Sequence, residues 1–227
     1  MGDFLVLPAG ATLSAKAPRE VPVELFEAIY SQRAMRRLKP DPVPDELVWK
    51  VLDAAIRAPS GGNRQPWNFV VVRDEATKKQ IGEWYLDSWN ASYGPFRQVA
   101  MANPATAKTF ASADYLANHL AEVPVLIIAT VNNAGVAPVS PPGASVYPAV
   151  QNLMLAARAL GLGTTLTTLH RAHEEKVAAL LGMPEGTETM ALIPLGWPKG
   201  RFGPAARMPV DVVTYWEKWG ATQKRPE

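Results

Sequence analysis

The run PVLIIATV at 124–131 constrains this chain more than any other stretch. It is short, continuous and apolar, which reads as a strand buried on both faces. Such a strand needs helices above and below it. Residues 22–32 set Leu25, Phe26, Ile29 and Tyr30 on one helical face. A second helix begins after Pro44, with Asp45 and Glu46 at its positive N-terminus, and runs until Pro59. Helices are also expected at 74–89, with Asp74 as N-cap, at 146–160, closed by Gly161, and at 172–183. Further strands are expected at 68–74, at 164–169, where threonines favour β structure, and at 189–198. Helices and strands alternate, so the layer plan is a mixed sheet of about four or five strands flanked by helices.

Residues 90–118 read as less regular. Gly94, Pro95 and Pro104 break the pattern, while Trp89, Tyr93, Phe96, Phe110 and Tyr115 make the region aromatic. The C-terminal stretch 201–220 is proline-rich but too apolar for a free tail, so it is expected to pack on another surface.

Composition excludes several functions. The 227 residues carry a net charge of +2, too little to steer nucleic acid. The chain has no cysteine, which removes disulfides, thiol catalysis and Cys-ligated zinc and fits a cytoplasmic setting. No apolar run is long enough to span a membrane, and residues 1–21 read as an N-terminal arm rather than a signal peptide. His119, His170 and His173 lack the spacing of a metal site. No nucleophile elbow or Walker loop is present.

Three features remain. RAMRR at 33–37 places Arg33, Arg36 and Arg37 in a short linker between helices. A charge cluster often serves only as a solvated face, but guanidinium groups converging from a linker bind phosphate in bidentate fashion. APSGGNRQPW at 58–67 is a tight helix-to-strand loop with paired glycines and short polar side chains, equally consistent with a plain turn. GLGTTLTTL at 161–169 offers hydroxyls, or merely β-formers; its glycines precede a strand and so form no Rossmann fingerprint.

Taken in order, QRAMRRLKPDPVPDELVWKVLDAAIRAPSGGNRQPWNFVVVRD, GLGTTLTTL, GWPKG and AARMPVDVV resemble the signatures of the nitroreductase superfamily of flavoproteins, over roughly 22–215. The resemblance is nearest to the branch of bacterial nitroreductases and iodotyrosine dehalogenases. It implies an α+β fold, a three-layer α-β-α sandwich with a small mixed sheet, assembled as an intertwined homodimer with FMN at the interface. It also implies NAD(P)H as co-substrate, a ping-pong reduction of nitroaromatics, quinones or similar electron-poor small molecules, and no dealings with nucleic acid or membrane. By match to the motifs, Arg33, Arg36 and Arg207 fall on phosphate-binding positions, with Ala34 contributing backbone only. Pro59, Ser60, Asn63 and Gln65 fall on the loop that meets the flavin ring from the partner subunit. Leu166, Thr167 and Thr168 fall where donors face flavin N5 and O4. The flavin carries the chemistry, so no catalytic side chain is expected, and residues 84–118 become a substrate-facing lid inserted in a single domain, 22–215, followed by a tail at 216–227.

Gln32 stands where many relatives have a second arginine, Ala34 where they have serine, and Ala205 where some have lysine. A reductive dehalogenase, a flavin-consuming enzyme and a non-catalytic FMN-binding protein are the alternatives within the resemblance.

Overall fold

In the computed structural model, residues 23–132, 141 and 143–225 are described. The expected N-terminal arm, most of the loop before the helix at 143 and the last two residues of the tail lie outside them.

The apolar run forms β2, Val125–Asn132. It pairs antiparallel with β1, Trp67–Val72, on one side and with β4, Thr187–Gly196, on the other. The short β3, Gly163–Thr164, closes the order β1-β2-β4-β3. Strand residues alternate between two cores, as a period of two requires. Val125, Ile127 and Ile193 face helices α2, Asp45–Ala55, and α6, Gly143–Ala159. Leu126, Ile128 and Leu192 face α3, Glu75–Tyr93, and α5, Pro104–His119. The three-layer α-β-α sandwich is therefore present. Two smaller helices complete the picture before the site: α1, Leu25–Ser31, and α4, Arg97–Ala102. The last helix, α7, spans Glu174–Leu180.

Two expectations needed correction in detail. All described strand pairs are antiparallel, so the sheet is not mixed in direction. The long connection through α3–α5 brings the chain back at the end where it left β1, with Val72 opposite Leu126, and helices cover both faces, so Val125–Val131 are buried without parallel pairing. The threonine stretch also forms less strand than its propensity suggests. After Thr164 regular pairing stops, leaving one bridge between Thr167 and Leu192, and a 3-10 turn follows at Leu169–His173. Context outweighs β propensity here.

Residues 97–102 and 104–119 are helical rather than irregular, because Pro104 sits in the first turn of α5, where proline is tolerated, with the N-cap Asn103 accepting from the Ala105 amide. Asp74 caps α3 as expected, accepting from the Thr77 amide at 2.8 Å.

Gly163 positions the arginine linker. A Cβ there falls 2.9 Å from Met35 Cβ and from Leu38 Cδ2, so only glycine lets residues 35–38 lie against β3. Gly163→Ala is expected to cost on the order of 1 kcal/mol, the lower end of the overpacking range, read as a lower urea midpoint at unchanged slope.

Candidate functional site

The arginine linker lies in a strand-like ladder. The Met35 amide donates to Thr164 O at 2.8 Å, the Lys39 amide to Trp197 O at 2.8 Å and the Lys199 amide to Arg37 O at 2.9 Å. This ladder sends the three guanidinium groups to three places. Arg33 is exposed and donates to the carbonyl of Arg201 at 2.5 Å. Arg36 is half-buried on the wall of a cavity of about 590 Å³. Arg37 lies over the Tyr115 ring, 4.7 Å from its centroid, beside a second cavity of about 610 Å³ on the other side of α5.

The first cavity is the candidate site. Its volume falls in the range of roughly 300–1,000 Å³ typical of small-molecule pockets. The 165–169 segment forms one wall, including the expected Leu166, Thr167 and Thr168. The opposite wall is aromatic and comes from α3–α5, chiefly Trp89, Tyr93, Phe96 and Phe110. Trp89 stacks on Tyr93 with centroids 4.6 Å apart, and its Nε1 donates to Asp114, which also pairs with Arg97. That network ties the three helices of the wall together.

Among the described residues, Arg36 is the only charged one on the cavity wall. Burial pushes its guanidinium below its ordinary pKa, with neighbouring Tyr85 opposing the shift. Among the described residues, no carboxylate or carbonyl pairs with it. A desolvated, unpaired guanidinium on the wall of a largely aromatic cavity suits an anionic planar ligand.

Tyr85 is the residue that sequence reasoning missed. It is 3 % exposed, lies on the cavity wall, and its Oη sits 2.9 Å from Thr167 Oγ1. Burial pushes its phenol up, while the Thr167 hydrogen bond and Arg36 oppose that shift. Nothing local marks it, since it is one aromatic among several in α3 and its partner lies 82 residues away.

The other expected residues lie outside this cavity within the single chain. Pro59, Ser60, Asn63 and Gln65 belong to the turn before β1, where the Gln65 amide donates to Ser60 Oγ at 3.0 Å and Gln65 Nε2 to Asn63 Oδ1 at 3.2 Å. Asn63 and Gln65 have φ of 54° and 49°, beside Gly62 at 60°. Left-handed backbone at two non-glycine residues is uncommon and often marks a site held for a ligand. Arg207 is exposed and donates to the carbonyl of its neighbour Ala206, at 2.9 Å. Ala34 is exposed beside the cavity-facing Arg36.

An α-β-α sandwich with an aromatic cavity beside its sheet, carrying one cation among the described lining residues, is a small-molecule binding site. Residues 29–197 match the model of the nitroreductase family, and the chain belongs to that family. It is 31 % identical over 196 residues to an NADH dehydrogenase of Thermus thermophilus, covering 83 % of this chain and 94 % of that one. It is 27 % identical over 180 residues to iodotyrosine deiodinase 1 of Rattus norvegicus, covering 77 % and 62 %. Among solved structures, an oxidized iodotyrosine deiodinase bound to FMN and 3-iodo-L-tyrosine superposes with a TM-score of 0.64 at 27 % identity, covering 82 % of this chain and 94 % of that one. An FMN-bound nitroreductase from Desulfitobacterium hafniense shares the fold, with a TM-score of 0.65 at 23 % identity over 85 % of this chain and 98 % of that one.

Proposed function

We propose that the chain is an FMN-dependent NAD(P)H oxidoreductase that reduces nitroaromatics, quinones or similar electron-poor acceptors by a ping-pong mechanism. The single observation behind this reading is Arg36, an unpaired half-buried cation in an otherwise aromatic and hydroxyl-lined cavity. Arg33, Arg36 and Arg207 bind the anionic end of FMN, with the Ala34 backbone beside them. Leu166, Thr167 and Thr168 meet the ring edge. Pro59, Ser60, Asn63 and Gln65 complete the pocket of a second copy, which accounts for their distance from the cavity within one chain.

Bound FMN supplies the hydride chemistry. The protein positions and excludes. Trp89, Tyr93, Phe96 and Phe110 present an aromatic wall against which the nicotinamide and then the acceptor are held, and they keep water from the reacting faces. The Thr167 amide donates to Leu192 O at 3.0 Å and is thus committed to β4. Hydrogen bonds from Thr167 to a ligand therefore come from its hydroxyl.

A homodimer is the assembly we propose, and the exposed C-terminal stretch supports it. Val212, Val213, Trp216 and Trp219 in the C-terminal stretch are exposed in the single chain, Trp219 at 90 %, and a partner subunit covers such a surface. Among the described residues no helix is long and apolar enough to cross a membrane. We also propose a cytoplasmic location, in keeping with a chain that has no cysteine.

Reductive dehalogenation is the second reading, favoured by the iodotyrosine deiodinase relatives. A zwitterionic amino acid needs an anion as well as a cation to grip it, and among the described residues the cavity wall carries one charged group, Arg36.

The test is direct. Purified protein is expected to be yellow, to sediment as a dimer, and to consume NAD(P)H steadily with a nitroaromatic or quinone but not with 3-iodotyrosine. A colourless protein, or a monomer that holds its flavin tightly, overturns the reading. Flavin without turnover makes the protein a carrier.

A further inference from the structure

Thr167 Oγ1 is surrounded by two potential donors. Tyr85 Oη lies 2.9 Å away, and the Leu169 amide donates to the same oxygen at 3.5 Å. A hydroxyl has one proton and two acceptor sites. When Tyr85 donates, both acceptor sites of Thr167 are filled, and its own proton is free to be donated into the cavity. When Thr167 instead donates to Tyr85 Oη, one acceptor site opens toward the cavity. Both hydroxyls can take either role, so the pair has two polarities and no intermediate one.

We propose that Tyr85 is a positioning residue that sets the polarity of the Thr167 hydroxyl, so that one side chain meets a ring nitrogen as donor in one redox state of the cofactor and as acceptor in the other. This rests on the FMN reading above. An oxidised flavin presents N5 as a hydrogen-bond acceptor, and a reduced flavin presents it as a donor. A lone threonine matches both only by leaving its proton or a lone pair unused in one of them. Tyr85 removes that loss, because its buried oxygen takes the Thr167 proton when Thr167 must accept. Burial disfavours the phenolate, so Tyr85 remains a neutral hydroxyl able to play both roles. Arg36 has no acceptor and cannot substitute for it. The device costs no backbone movement: the Thr167 amide and carbonyl are both bonded to Leu192, at 3.0 and 2.9 Å, and only two protons rotate.

Tyr85→Phe removes one oxygen and keeps the ring. In that variant the oxidised form loses the bond Tyr85 donates, but Thr167 Oγ1 still accepts from the Leu169 amide and donates to N5, whereas in the reduced form the Thr167 proton is left without a partner, which costs more than one unfilled lone pair. The reduced form loses support relative to the oxidised form, by about tenfold in their ratio at a fixed potential. For a two-electron couple this is a fall of roughly 30 mV, read by anaerobic redox titration of the FMN-loaded protein. Thr167→Ser is expected to keep the sensitivity to Tyr85→Phe, and Thr167→Val to abolish it, because the two residues act as one unit. An unchanged potential in Tyr85→Phe, or an equal fall in the Thr167→Val background, overturns the proposal. A second measurement needs no Tyr85 variant. Flavin with carbon in place of N5 (5-deaza-FMN) is expected to bind the wild type about tenfold more weakly than FMN and the Thr167→Val variant equally well. Equal binding to the wild type also overturns the proposal. A yellow protein with an unmoved potential sinks this inference alone, whereas a colourless one sinks the cofactor reading as well.

Discussion

Arg36→Ala is expected to strip the protein of most of its FMN, with the dissociation constant rising about ten- to a hundredfold. That range corresponds to roughly 1.5–3 kcal/mol, the contribution of a hydrogen bond to a charged group. The effect is large because the guanidinium is half-buried and has no competing partner among the described residues, so its charge is available to a ligand at low local dielectric. Arg33 differs, since it is exposed and already donates to Arg201 O. Its replacement by alanine is expected to weaken FMN less. Arg36→Lys keeps the charge but loses the planar fork and is expected to fall between wild type and alanine. Fluorescence titration of apo-protein with FMN measures all three. If Arg36→Ala binds FMN with unchanged affinity, Arg36 is not a cofactor residue.

Acidification is expected to cost this fold about 3 kcal/mol through one side chain. His170 is 1 % exposed, and neither ring nitrogen has a hydrogen-bond partner among the described residues. Burial pushes its pKa down from 6.5 to about 4, with Glu174 opposing and Arg171 adding to the shift. In the unfolded chain the ring takes its proton near 6.5, whereas in the folded chain it resists until about 4. Stability from this group is therefore complete above pH 6.5 and is lost as pH falls toward 4, at 1.36 kcal/mol per unit. Carboxylates contribute lower down. Burial alone would raise Glu174, but its bonds to Thr189 and the nearby Arg171 hold it below the usual carboxylate value, so its loss falls at lower pH. The window from 6.5 to 5 belongs to His170. Urea midpoints of wild type and His170→Leu at pH 7 and pH 5 separate the effects: wild type is expected to lose midpoint and the variant to lose less. Equal losses would remove His170 from the account. The 3-10 turn that carries His170 follows Thr168 directly, so acid is also expected to loosen the cavity wall before the sheet.

The fold was legible where local chemistry and burial agree. The apolar run became the central β2, Asp74 capped α3, and Gly161, with φ of 79°, follows α6. The sequence was less informative where a residue's partner is distant. Threonines at 164–168 promised a strand because they suit a pleated surface, yet they leave the sheet after Thr164 to form the cavity wall. Pro104 read as a breaker and acts as a helix start. The arginine cluster was visible, but its division among a carbonyl, a cavity and a tyrosine face is set by long-range ladder bonds that no spacing encodes. Tyr85 was hidden for the same reason.

The ladder that holds residues 35–39 also limits how this stretch can change over evolutionary time. The Met35 amide is pinned to Thr164 and the Lys39 amide to Trp197, with Leu38 bridged to Pro198 between them. Each extended residue advances about 3.3 Å. Loss or gain of one residue between the pins breaks one of them or turns the next arginine away from the cavity, because neighbouring side chains point to opposite sides. Exposed side chains just before the pins, such as Ala34, are free to change. The length is not, and descendants that keep the activity are expected to keep these five positions without an insertion or deletion.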